Sequence, residues 1–108
     1  MSWDVYLTFE KCPHCEIAPE SIDVRNVTYN NSKIFSVLNI HPRDIAGFTG
    51  KGIIPLVETA LLELGQNRKK LQEYAPPNGW GGVDDVERFL DKLLKDCQEH
   101  PTGVLAVS

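Results

Sequence analysis

Near its start the chain alternates apolar and polar side chains with a period of two. Trp3, Val5, Leu7 and Phe9 are separated by Asp4, Tyr6, Thr8 and Glu10. That period sends the two sets to opposite sides of an extended backbone, so it predicts a half-buried strand. Cys12-Pro13-His14-Cys15 interrupts the pattern, and Pro19 keeps the following residues irregular. A second strand is expected from about Ile22 to Tyr29, where β-branched residues are frequent. The two can pair as a hairpin across the cysteine loop.

Beyond Tyr29 the period lengthens to that of a helix. Asn30, Asn31 and Ser32 are suited to cap a short helix from Lys33 to Ile40. Its apolar side is Ile34, Phe35, Val37 and Leu38, and His41-Pro42 is expected to end it. The glycine-rich stretch Gly47 to Gly52 leads into a helix from about Ile53 to Leu64. Pro55 would sit in its first turn, Val57, Ala60, Leu61 and Leu64 would be buried, and Gly65 would stop it. Asn67 can cap a short helix through Tyr74. The clearest helical repeat is Val86, Phe89, Leu90, Leu93, Leu94 and Cys97, with Asp84 and Asp85 well placed in the first turn. Pro101-Thr102-Gly103 then turns the chain into a short strand, Val104 to Val107. The sum is an α+β domain spanning residues 1–108. A small, mainly antiparallel sheet is formed by the N-terminal hairpin and the C-terminal strand, with four helices packed on one face.

With 108 residues the chain is long enough for one domain with a real core. Its 42% apolar and 24% charged residues are ordinary for a soluble protein. The net charge of −4 argues against general nucleic-acid binding, which needs a basic face to neutralise phosphates. Arg68-Lys69-Lys70 reads as a solvated helix face. No apolar run approaches the roughly 20 residues of a membrane span. Met1-Ser2-Trp3-Asp4 lacks the basic and apolar regions of a signal peptide, so a cytoplasmic location is expected. Three cysteines, an odd number, do not suggest a disulfide framework.

Two polar signatures carry the candidate chemistry. Asn26, Thr28 and Asn30 alternate along the second strand around Val27 and Tyr29. Two amides and a hydroxyl on one face pack poorly but offer fixed donors and acceptors to a polar ligand. The strand leads towards a helix start at Ser32-Lys33, and Thr49-Gly50-Lys51-Gly52 precedes another helix. Free amides at such places attract anions. The second stretch lacks the glycine spacing and the Ser or Thr after lysine of a P-loop. The other signature is Asn78-Gly79-Trp80-Gly81-Gly82, directly after Pro76-Pro77. Prolines stiffen the approach, Asn78-Gly79 favours a turn, and the glycines allow close backbone passage. Trp80 is therefore displayed on a loop or folded back as a plug for the core. The displayed alternative predicts one pocket shared by Asn26, Thr28, Tyr29, Asn30, Asn78, Gly79 and Trp80, with Lys51 as counter-charge.

The cysteines admit sharper chemistry. Cys12-Pro13-His14-Cys15 looks like the active site of the disulfide-oxidase branch of the thioredoxin family, which implies thiol–disulfide exchange. That activity needs a helix after the first thiol to lower its pKa, and Glu16-Ile17-Ala18-Pro19-Glu20 does not read as one. Alternatively Cys12, Cys15, Cys97 and His100 have ligand types for a structural zinc site joining the first loop to the last helix. Against it, Cys97 is in phase with the apolar stripe, where a buried free thiol is common.

Together the Asn26-x-Thr28-x-Asn30 strand, the Gly50-Lys51 helix start and the Pro77-Asn78-Gly79-Trp80-Gly81 turn resemble an uncharacterised family of small phage and mobile-element proteins. The resemblance spans about residues 24 to 107 and leaves the cysteine loop outside. It implies a phage-type source and a place in the host-cell cytoplasm. No nucleophile–base pair assembles from the sequence. The expected function is therefore a non-enzymatic, possible homo-oligomeric binding protein for a polar, nucleotide-like and phosphorylated small molecule. Its concrete form is a sponge that sequesters a host defence signal. The alternatives are a protein–protein interaction module presenting Trp80, a thiol–disulfide oxidoreductase using Cys12-Pro13-His14-Cys15, and an enzyme modifying a nucleotide.

Overall fold

The structure, a computed structural model, describes residues 2–8, 21–28, 31–74 and 82–108. Strands β1 (Ser2–Thr8), β2 (Ile22–Thr28) and β3 (Val104–Val107) form an antiparallel sheet of order β2-β1-β3. The alternation in β1 decides its orientation: Trp3, Val5 and Leu7 are buried, while Asp4 is exposed on the other side. Five helices are described, α1 (Ser32–Val37), α2 (Pro42–Ile45), α3 (Gly50–Gln66), α4 (Arg68–Gln72) and α5 (Val83–Glu99); α5 packs on β2 and α2 on β3, while α1, α3 and α4 pack against α5. This is the α+β architecture expected, with five described helices in place of four.

The core is one cluster. The apolar stripe of α5 (Val86, Phe89, Leu90, Leu93) meets that of α3 (Ile53, Val57, Ala60, Leu64) under Val5, Leu7, Val27 and Leu105 of the sheet. Phe35 of α1 lies edge-on to both Trp3 and Phe89, with ring centroids 6.5 and 5.5 Å apart. Such T-shaped pairs add about 0.5–1.5 kcal/mol to the area they bury. None of the helices among the described residues is long and apolar enough to cross a membrane.

Helix boundaries differ from the sequence expectation for local reasons. The first helix stops at Val37 rather than Ile40 because Asn39 adopts a positive φ of 58°. Asn39 N–H then bonds Ser36 O at 3.2 Å and Ile40 N–H bonds Phe35 O at 3.0 Å. This is a Schellman closure, with Ile40 and Phe35 both buried. Pro42, read as a stop, begins the extra helix α2. Its fixed φ suits the first helical position, and His41 Nδ1 accepts from Arg43 N–H at 3.2 Å. Helix α3 starts three residues early, since Thr49 Oγ1 accepts from Gly52 N–H at 3.0 Å. Pro55 therefore lies inside the helix rather than in its first turn, and Gly65 is passed without a break.

The start of α3 is docked on the turn between α5 and β3. Gly50 N–H bonds Gly103 O at 2.7 Å and Lys51 N–H bonds Pro101 O at 2.9 Å. Residues just before it line the outer edge of β3. Gly47 N–H bonds Leu105 O and Leu105 N–H bonds Phe48 O, each at 2.8 Å, and Thr49 bridges Val104. The approach is so close that a Cβ on Gly50 would lie 2.6 Å from His100 O, whereas one on Gly65 would meet nothing within 4 Å. Gly50 and Gly65 should therefore respond with opposite signs. Gly50→Ala should cost about 1–3 kcal/mol through overpacking, while Gly65→Ala should stabilise by about 0.5–1 kcal/mol. Urea unfolding of the two variants measures both.

Candidate functional site

Strict alternation along β2 would put Asp23 and Asn26, three residues apart, on opposite faces. The observed register does otherwise. Tyr6 pairs with Asp23, Val5 with Arg25 and Asp4 with Asn26, and the shift between Val5 and Tyr6 leaves Val24 as an extra residue. A bulge of this kind re-phases the strand. Val24 is buried on the helix side, while Asp23 and Asn26 both join Asp4 and Tyr6 on the outer face. The four form a tetrad on two neighbouring strands. Asn26 Nδ2 donates to Asp4 Oδ1 at 2.7 Å. Ser108 is held next to Asp4 by a reciprocal backbone pair, Asp4 N–H to Ser108 O at 2.9 Å and Ser108 N–H to Asp4 O at 3.0 Å. With Ser21 at the rim, these residues enclose an open cleft of about 450 Å³. That size lies in the usual range for small-molecule sites.

On the helix side, a second polar assembly joins the sheet to the start of α5. Arg25 also borders the cleft, but its guanidinium is drawn to Asp85 Oδ1 at 3.0 Å. Asp85 Oδ2 accepts from Asn31 Nδ2 at 2.8 Å, and Asn31 Oδ1 accepts from Gly82 N–H at 2.8 Å. Asn31 is fully buried. It was expected to cap α1, yet it makes no cap bond there and serves the start of α5, 51 residues away. Gly82 has φ 131°, a backbone region that glycine adopts freely. Asp85 in the first turn also complements the helix dipole.

These facts place the residues expected from the sequence. Asn26 and Thr28 both stand on the outer face, Thr28 opposite Ser2. Tyr29, Asn30, Asn78, Gly79 and Trp80 lie outside the described residues, as do Cys12 and Cys15. The residues that flank the two motifs, Asn31 and Gly82, are bonded to each other. Lys51 is not brought to Asn26. It stands past the far edge of the sheet, three strand spacings across and four residues along, on the order of 20 Å. The Thr49-Gly50-Lys51-Gly52 stretch is no anion cradle either. Its amides at Gly50, Lys51, Gly52 and Ile53 donate to Gly103 O, Pro101 O, Thr49 Oγ1 and Thr49 O. Arg68, read as part of a solvated basic face, bonds Asp84 at 2.7 Å and also Glu87, tying α4 to α5.

Cys97 lies in the core as the apolar stripe implied. Burial first, and the Asp96 carboxylate second, push its thiol up to about 11. Asp96 itself is 3% exposed, with both oxygens held by Lys92 Nζ at 2.9 and 2.7 Å. His100 is the C-cap of the same helix. Among the described residues no three His, Cys, Asp or Glu side chains converge as a metal site. Sequence reasoning missed Asp4, Tyr6 and Asp23 as partners of Asn26, because strand register sets Asp4 and Tyr6 beside it and the bulge adds Asp23. The chain matches no family model, no curated protein and no solved structure.

Two outcomes follow from these environments. Asn31→Ala would leave the buried Gly82 N–H without its acceptor and Asp85 Oδ2 without its Asn31 donor, Arg25 alone remaining on Oδ1. It should destabilise the fold by on the order of 3 kcal/mol, read by urea unfolding. For Cys97, a folded-state pKa above its ordinary value means stability is fully present below about pH 9. It is lost as pH rises towards 11. The loss should be on the order of 2–3 kcal/mol and absent in Cys97→Val. Peptide-mapped alkylation at pH 8 should spare Cys97 until denaturant is added.

Proposed function

We propose that the protein is a non-enzymatic binding protein that sequesters a polar, nucleotide-like small molecule. The observation that carries this reading is the outer face of the sheet. There Asp4, Tyr6, Asp23 and Asn26 border an open cleft of about 450 Å³. The bulge brings Asp23 beside the Asp4–Asn26 pair and Tyr6, so three hydrogen-bonding side chains and one aromatic residue share this face. The bond between Asn31 and Gly82 adds support, since the amide strand and the tryptophan turn flank it directly in sequence. Indole stacking from Trp80 on the ligand would contribute about 1–3 kcal/mol per base, and the outer-face amide and carboxylates would supply selectivity. The resemblance to phage and mobile-element proteins makes the concrete form a sponge for a host defence signal, acting in the host cytoplasm.

Native mass spectrometry of the freshly purified protein tests the reading. A small molecule should accompany the folded chain, leave on denaturation and be recovered unchanged. Recovery of a chemically altered product after incubation would make the protein an enzyme instead. Trp80→Ala should abolish retention while barely moving the melting temperature. A loss of about 3–5 kcal/mol, the usual cost of deleting a core aromatic, would make Trp80 a core plug and leave the pocket without its stacking surface.

A further inference from the structure

The proposed ligand has a polarity that the cleft itself specifies, and this inference rests on the binding reading above. Asp4 and Asp23 occupy diagonal corners of the outer-face tetrad, facing Asn26 and Tyr6 across the strand pair. Diagonal neighbours on paired strands stand about 7–8 Å apart. Two ionised carboxylates accept hydrogen bonds and donate none. Asn26 gives its amide N–H to Asp4, which further biases the corner towards acceptor oxygens. The nearest guanidinium, Arg25, is engaged by Asp85 on the helix side. The helix start at Gly50 and Lys51, expected to hold phosphate, has spent its amides on Gly103 and Pro101.

We infer that the cleft reads its ligand through hydrogen-bond donors at two ends, with Tyr6 between them, and that a phosphate contributes nothing to binding there. A nucleoside has this character. The amino and imino groups of a base such as guanine can meet one carboxylate as a bidentate pair, and the ribose hydroxyls suit the other. Carboxylates hold ribose hydroxyls in the same way in dinucleotide sites. A phosphate brought near the two aspartates would be repelled, so any phosphate on the ligand is directed to solvent.

Isothermal titration of the full chain, stripped of retained ligand, with guanosine, 2′-deoxyguanosine and guanosine 5′-monophosphate tests this. Guanosine should bind at least as tightly as its monophosphate, and loss of the 2′-hydroxyl should weaken binding several-fold. Asp4→Asn and Asp23→Asn should each weaken guanosine at least tenfold with unchanged melting temperatures, because both side chains are exposed. Tenfold tighter binding of the monophosphate than of guanosine would overturn the inference while leaving a binding protein. Indifference of guanosine affinity to both Asn variants would overturn it too. Absence of binding by all three compounds would also overturn it, and the ligand retained in native mass spectra would then decide the broader reading separately.

Discussion

Asn31 is the side chain on which the arrangement of this protein depends. It is fully buried, and both ends of its amide are engaged across the fold, with Gly82 N–H on one side and Asp85 on the other. A buried amide left unpaired costs more than a paired one contributes, so the geometry around Asn31 is strongly held. Through Asp85 it reaches Arg25 and hence β2, and through Gly82 it sets where α5 begins. The strongest helix of the chain is thereby locked to the edge strand of the sheet at one end. At its other end, the turn after α5 receives the first amides of α3. Strand, long helices and turn form one continuous hydrogen-bonded frame around the apolar core.

That frame leaves one face of the sheet without a helical cover among the described residues. The bulge at Val24 is the device that gives this face its chemistry. It turns Val24 and Arg25 towards the helices and lets Asp23 and Asn26 stand together outside. The price of one unpaired strand residue is small beside the result, a compact group of acceptors around Tyr6. Charge follows the same division. The described cations near the core frame are paired, Arg25 with Asp85, Arg68 with Asp84 and Glu87, and Lys92 with Asp96. Partly exposed pairs such as these add little stability individually. They do keep the guanidinium of Arg25 on the helix side, so the outer cleft keeps an acidic character.

The fold class was legible in the amino-acid sequence for simple reasons. The two-residue alternation from Trp3 to Leu7 and the helical repeat from Val86 to Cys97 are periodicities that only one backbone geometry can bury. They identified β1 and α5, the face each buries, and the core position of the Cys97 thiol. Boundaries were less legible, because they turn on single residues whose neighbours are distant. Pro42 read as a terminator and acts as an initiator. A helix begins at Gly50 because the carbonyls of Gly103 and Pro101 accept from the Gly50 and Lys51 amides.

The candidate site divides along the same line. Asn26 was readable as a strand residue with a polar role, and the sequence by itself marked Thr28 on the same face through their spacing of two. Only the tertiary structure decided the company Asn26 keeps. Asp4 and Tyr6 join it through strand pairing, Asp23 through a bulge, and Lys51 is removed to the far edge of the sheet. Asn31 shows the reason most plainly. Locally it is an ordinary helix cap, and its actual partner lies 51 residues away. Periodicity determines which side of an element is buried, whereas the pairing of polar groups depends on register and packing between elements, which no local pattern contains.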